Sequence, residues 1–225
     1  MPGLLLAIVS WGVWYLSPDR IELLAYNRQV ILHGEWWRLW SVYLTHSSQL
    51  QLMIESSAIA LLGLMLHFYV RSWNLILGLL LAMPAMSWLL LTLEPSLVYY
   101  RGAASLVALM WMLVTWFLIV EYRRFSFHYL LGQLLLLIAM AKVGFESWLL
   151  FFSHRPVTES LRIAWELDVC GLLFGVALFN AFHQLYKGRL EQRKRPPVDQ
   201  YGKPVPVPLN QYPIPPARRQ PGKRR

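Results

Sequence analysis

The sequence predicts an all-α membrane protein, a bundle of six transmembrane helices followed by a disordered C-terminal tail. Three observations predict it. Runs of apolar residues nearly free of charge recur along the chain, each close to the length a helix needs to cross a bilayer. Of the 225 residues 56% are hydrophobic and 15% charged, where a soluble domain carries about 25% charge. Beyond residue 186 the composition switches to proline and basic residues.

The first span, residues 3–16, is short and has the length of a signal-peptide core. It lacks a positive leading region and a small-residue cleavage site, so it reads as a retained helix. Residues 17–45 carry scattered charges and the aromatic cluster Trp36, Trp37, Trp40 and Tyr43. Indole and phenol rings favour the membrane–water boundary, which predicts an interfacial loop with short amphipathic helices. The remaining spans are residues 50–70, 75–93, 104–120, 129–152 and 167–186.

Orientation follows from the basic residues. With the N-terminus inside, the cytoplasmic segments hold Arg71, Arg123, Arg124 and the tail, 14 Lys and Arg in all, against six on the opposite side. The positive-inside rule then places both termini in the cytoplasm. Residues 187–225 contain nine of the 14 prolines and 11 of the 21 Lys and Arg. Such a stretch cannot bury a core, and it predicts a disordered segment of polyproline character attracted to anionic lipid, or docked on a soluble partner. Because the net charge of +9 lies mostly in this tail, the charge does not argue for nucleic-acid binding. The single cysteine, Cys170, excludes an internal disulfide and reads as a small residue in a packed helix.

Charges inside the spans are the main functional signal. Asp168 stands at the start of the last span, and a central membrane carboxylate costs roughly 2.5–3.5 kcal/mol on insertion scales. Glu55, Lys142 and Glu146 share its predicament. Lys142 and Glu146 are one helical turn apart, so they share a face and can neutralise one another. Gly171 and Gly175 give the last span a small-residue face, and Gly102, Ala103, Ala104, Ser105 and Ala108 offer a matching one on the span beginning near residue 104.

Five segments, in order, resemble the rhomboid intramembrane serine proteases, and within them the bacterial rhombosortase branch. Gly34-Glu35-Trp36-Trp37-Arg38-Leu39 resembles the G-E-W-W-R-L that leads to the family's second span. Thr45-His46 and the run after it resemble the stretch carrying a His and, four residues on, an Asn. Tyr100-Arg101-Gly102-Ala103-Ala104-Ser105 resembles the Y-x-G-x-S-G that opens the fourth span with the nucleophilic serine. Lys142 to Glu146 is similar to a K-x-x-x-E element of rhombosortases, and Asp168-x-x-Gly171-x-x-x-Gly175 overlays H-x-x-G-x-x-x-G, where the His is the base.

The departures all fall at the catalytic centre. The serine position is Ala104 and the glycine after it is Ser105. The base position is Asp168, and the His and Asn that help hold the oxyanion become Gln51 and Glu55. A carboxylate is a poor base for a hydroxyl of far higher pKa, and an ionised Glu55 repels an oxyanion. The resemblance therefore implies a six-helix rhomboid-like bundle that is a pseudoprotease of a bacterial inner membrane. It implies no cofactor, and binding of transmembrane segments of client proteins, including those with Gly-Gly C-terminal tails. Gln51, Glu55 and Asp168 are expected to line a polar cavity and bond one another, one of the acids being protonated. No His/Cys spacing predicts a metal site. The alternatives are an active rhombosortase-type endopeptidase using Ser105, or a small transporter or proton pathway built on Glu55, Lys142, Glu146 and Asp168.

Overall fold

A computed structural model of the chain describes residues 1–122, 124–152 and 159–194. Its elements are α1 (Pro2–Trp14), α2 (Pro18–Leu24), β1 (Tyr26–Asn27), α3 (Arg28–Leu32), α4 (Arg38–Ser41) with a 3₁₀ turn at Val42–Leu44, α5 (Gln49–Leu66), α6 (Ser72–Leu93), β2 (Tyr99–Tyr100), α7 (Ala104–Glu121), α8 (Phe127–Phe152) and α9 (Glu159–Lys194). Five helices are long and apolar enough to cross a membrane, over Gln49–Leu66, Ser72–Leu93, Ala104–Glu121, Phe127–Leu149 and Trp165–Leu185. The protein is a helical membrane protein. At 13 residues, α1 is about 20 Å long, short of the about 30 Å of hydrocarbon. The expected boundary at Lys187 is displaced, because α9 continues to Lys194. The segment Leu190-Glu191-Gln192-Arg193-Lys194 consists of good helix formers. The proline-rich residues 195–225 expected to be disordered lie outside the described residues.

Between α1 and α5 the predicted interfacial segment forms short helices, each stopped or started by a local device. Asn27 caps α3 by accepting from the backbone N–H of Gln29 and Val30. Arg38, only 4% exposed, gathers the loop: it bonds Glu35 at 2.7 Å and the carbonyls of Glu22 and Ala25 at 2.6 and 2.8 Å. Trp36, Trp37 and Trp40 remain exposed, as interfacial rings should. Trp36 stacks on Trp88 of α6. Pro84 inside α6 cannot donate to Leu80, and the freed carbonyl instead accepts from the Trp40 indole at 2.9 Å. Two residues of antiparallel pairing, Tyr26 with Tyr100 and Asn27 with Tyr99, then fasten this segment to the loop before α7.

The spans pack through small residues. Gly3 of α1 meets Gly63 of α5 so closely that a Cβ on either would collide with the other's backbone. Further along the same pair, the Trp11 indole donates to Ser56. On α9, Gly171 lies against the Ser105 carbonyl and Ala108, and Gly175 against the Leu109 carbonyl and Met112. Close backbone approach at small residues is how helices associate in lipid, where no hydrophobic gain separates protein from solvent. The core is centred on α7, whose Leu106, Leu109, Met110, Leu113, Val114 and Leu118 are all buried.

Candidate functional site

Two polar clusters sit side by side near the start of α7. The first is organised by Glu55. Ser48 caps α5, which sets Gln51 and Glu55 one turn apart on the face toward the loop before α7. The Glu55 carboxylate accepts from the Ala103 backbone N–H at 2.6 Å and from Gln51 Nε2 at 3.0 Å. Gln51 also donates to the Arg101 carbonyl. Gly102, at φ +146°, allows that approach: a Cβ there would lie 2.4 Å from Gln51 Nε2. The Ala103 N–H is an orphan donor at the α7 N-terminus, where a negative charge is favoured. Glu55 thus supplies the cap that Ala103 lacks.

Buried beside it is His46, whose Nε2 stands 3.2 Å from Glu55 Oε2, within ion-pair distance. The angle does not make a hydrogen bond, and Nδ1 has no partner among the described residues. Tyr43 and Tyr100 close the cluster. Burial pushes the Tyr43 phenol up to about 12, against the hydrogen bond from Ser87 and the nearby Ser105 hydroxyl. Burial, reinforced by the charge of Glu55, raises Tyr100 well above the ordinary phenol value.

The second cluster is organised by Lys142. Its ammonium bonds Glu146 at 2.8 Å and also bonds Asp168 of α9. The two carboxylates are nearly buried, at 12% and 10% side-chain exposure, and the Lys142 side chain is 55% exposed. Next to it, Trp165 donates to Ser147 and ties the two helices again.

A cavity of about 320 Å³ lies between the clusters. Its walls come from α5 (Ile54, Glu55, Ala58), α7 (Ala104, Val107, Ala108, Trp111), α8 (Ile138, Ala139, Lys142, Val143) and α9 (Asp168, Leu172). Glu55, Ala104, Lys142 and Asp168 therefore face one space. Ser105 is not among the lining residues. It is fully buried, near Tyr43, with no hydrogen bond from its Oγ among the described residues.

Gln51 and Glu55 bond each other as expected, but Asp168 bonds neither of them, Gln51 does not line the cavity, and the cavity wall is mostly apolar where a polar one was expected. Asp168 pairs with Lys142, whose only partner in the sequence reading was Glu146. The physical reason is register: Gly171 and Gly175 fix α9 against α7 and leave Asp168 toward α8, not α5. The sequence reading gave His46 and Tyr100 no part beyond the motifs that hold them, and it placed Tyr43 among the interfacial rings, whereas its phenol is buried against Met83 and Ser87. One signal was available, since His46 lies just before the helix bearing Gln51 and Glu55. Among the described residues no three His, Cys, Asp or Glu side chains gather as metal ligands. No protein-family model matches the chain, and no curated protein is significantly similar to it.

Proposed function

We propose that this chain is a rhomboid-like, rhombosortase-related pseudoprotease that binds transmembrane segments of client proteins in the cavity bounded by α5, α7, α8 and α9. One observation carries the reading. Ala104, a methyl group, lines the cavity opposite Asp168, while the neighbouring hydroxyl of Ser105 is buried among Tyr43 and its surroundings. Nucleophilic attack needs a hydroxyl within reach of both a base and a substrate. Here the hydroxyl is outside the cavity and the carboxylate at the base position is held by an ammonium. Glu55 in turn occupies the α7 N-terminal donor that an oxyanion would need.

The walls support client binding. Four alanines give the cavity room beside apolar side chains, and α8 is the least buried of the five long spans, at 11%. A helix so little covered by its own protein leaves most of its surface to the bilayer, where a client segment would lie. The membrane is a bacterial inner membrane on this reading, α1 is the first of six spans, and both termini are cytoplasmic. Proteins with Gly-Gly C-terminal tails are the client class that the family resemblance suggests.

A fluorophosphonate probe tests the central claim. The purified protein in detergent is expected to remain unlabelled, and Ser105→Ala to change nothing. Labelling that disappears in Ser105→Ala would establish an active serine endopeptidase instead.

A further inference from the structure

The cavity carries an unequal set of charges. On its α8–α9 side two nearly buried carboxylates, Asp168 and Glu146, share the single ammonium of Lys142. One oxygen of Glu146, Oε2, is buried without a hydrogen-bond partner. Glu55 joins Asp168 and Lys142 on the cavity wall, which Glu146 does not line. At membrane depth an excess negative charge is expensive and favours any cation that can reach it.

Lys142 is the movable member of this network. Its side chain is 55% exposed, and its bond to Glu146 is made within one turn of α8. It can leave Asp168 without becoming unpaired. Asp168, which lines the cavity, is then open to a second cation, and each acid ends with a partner of its own. An acidic newcomer does the reverse, because drawing Lys142 away leaves Asp168 and Glu146 both without an ion-pair partner among the described residues. Opposite charge is thus accepted and like charge rejected by the same three residues.

We propose that the cavity selects membrane-spanning segments bearing a Lys or Arg near one end, the incoming cation replacing Lys142 on Asp168 while Lys142 stays on Glu146. This rests on the reading of the cavity as a client site. Depth defines where that cation must lie. Asp168 is three residues inside the span Trp165–Leu185, about 5 Å along the helix axis. The matching residue of a client is therefore one turn inside its own apolar stretch.

The test uses the full chain in vesicles of phosphatidylcholine, a lipid whose headgroup carries no primary amine. p-Benzoylphenylalanine replaces Ile138 on the cavity wall. Three synthetic leucine–alanine spans are offered, identical except for Lys, Leu or Glu one turn from one end. Photo-crosslinking is expected to favour the Lys span over the Glu span by about ten-fold, with Leu between. That preference is expected to fall below about two-fold in Asp168→Asn and in Glu146→Gln, which removes the second seat for Lys142. If Asp168→Asn does not fold, Glu146→Gln decides alone. Equal labelling of the three spans, or a preference that survives the variants, overturns charge selection and leaves client binding standing. No labelling by any span overturns client binding, and this inference with it.

Discussion

Glu55 is the residue on which the loop before α7 depends. Its carboxylate takes the Ala103 N–H and the Gln51 amide and faces the His46 ring. Removing one partner from a buried polar group costs about 1–3 kcal/mol, more when the group is charged. Glu55→Ala takes the acceptor from two donors at once, the Ala103 N–H and the Gln51 amide, so its thermal unfolding temperature in detergent is expected to fall by several degrees. Glu55→Gln keeps one acceptor oxygen and is expected to fall in between. An unchanged transition in Glu55→Ala would show that the carboxylate is not what holds this loop. The sequence made Glu55 conspicuous, because a carboxylate in an apolar run stands out whatever the fold. Of its partners Gln51, one turn before it, was legible, and Ala103 was not. Ala103 lies 48 residues away, and nothing local links it to α5.

At the scale of elements, the contact of α9 with α7 decides where every site residue on those helices points. The small residues at Gly171, Gly175 and Ala108 announce a close approach in the sequence, since lipid-embedded helices come together where side chains are smallest. The direction of Asp168 was not announced. It follows from how far α9 is turned about its axis, which only the packed pair determines. A Cβ on Gly171 would stand 2.2 Å from the Ser105 carbonyl oxygen and 2.8 Å from the Ala108 Cβ. Gly→Ala in a free helix gains about 1 kcal/mol in propensity, whereas overpacking costs about 1–3 kcal/mol. The obstruction here is backbone, which cannot swing aside, so the cost wins. Gly171→Ala is expected to lower the unfolding temperature, and Gly171→Leu to prevent folding. Gly144 on α8 has nothing within 4 Å of a built Cβ, so Gly144→Ala is the control and is expected to be neutral. Equal behaviour of Gly171→Ala and Gly144→Ala would refute the contact.

For the whole molecule the number of crossings fixes the side on which each terminus lies. Five long spans alone would leave the termini on opposite faces, and six would bring them to the same one. On the proposed reading α1 is the sixth crossing. Gly3 lies against Gly63, three residues before the end of α5 at Leu66, and Trp11 reaches Ser56 farther up the same helix. Helix α1 therefore runs antiparallel to α5. Its 13 residues are short, but Tyr15 and Leu16 extend the apolar stretch to Ser17, where α2 begins with Pro18 and the charged Asp19 and Arg20. The basic residues agree: Arg71 follows α5 and Arg124 follows α7, on the face where α1 begins. Single cysteines in a Cys170→Ser background check this with a membrane-impermeant thiol reagent. A cysteine appended before Met1, His67→Cys and Gln211→Cys are expected to be protected in spheroplasts and labelled after lysis. Arg20→Cys is expected to react without lysis. If the appended cysteine reacts together with Arg20→Cys, α1 returns to the face it came from, the crossings number five, and the antiparallel contact with α5 does not mark a sixth span.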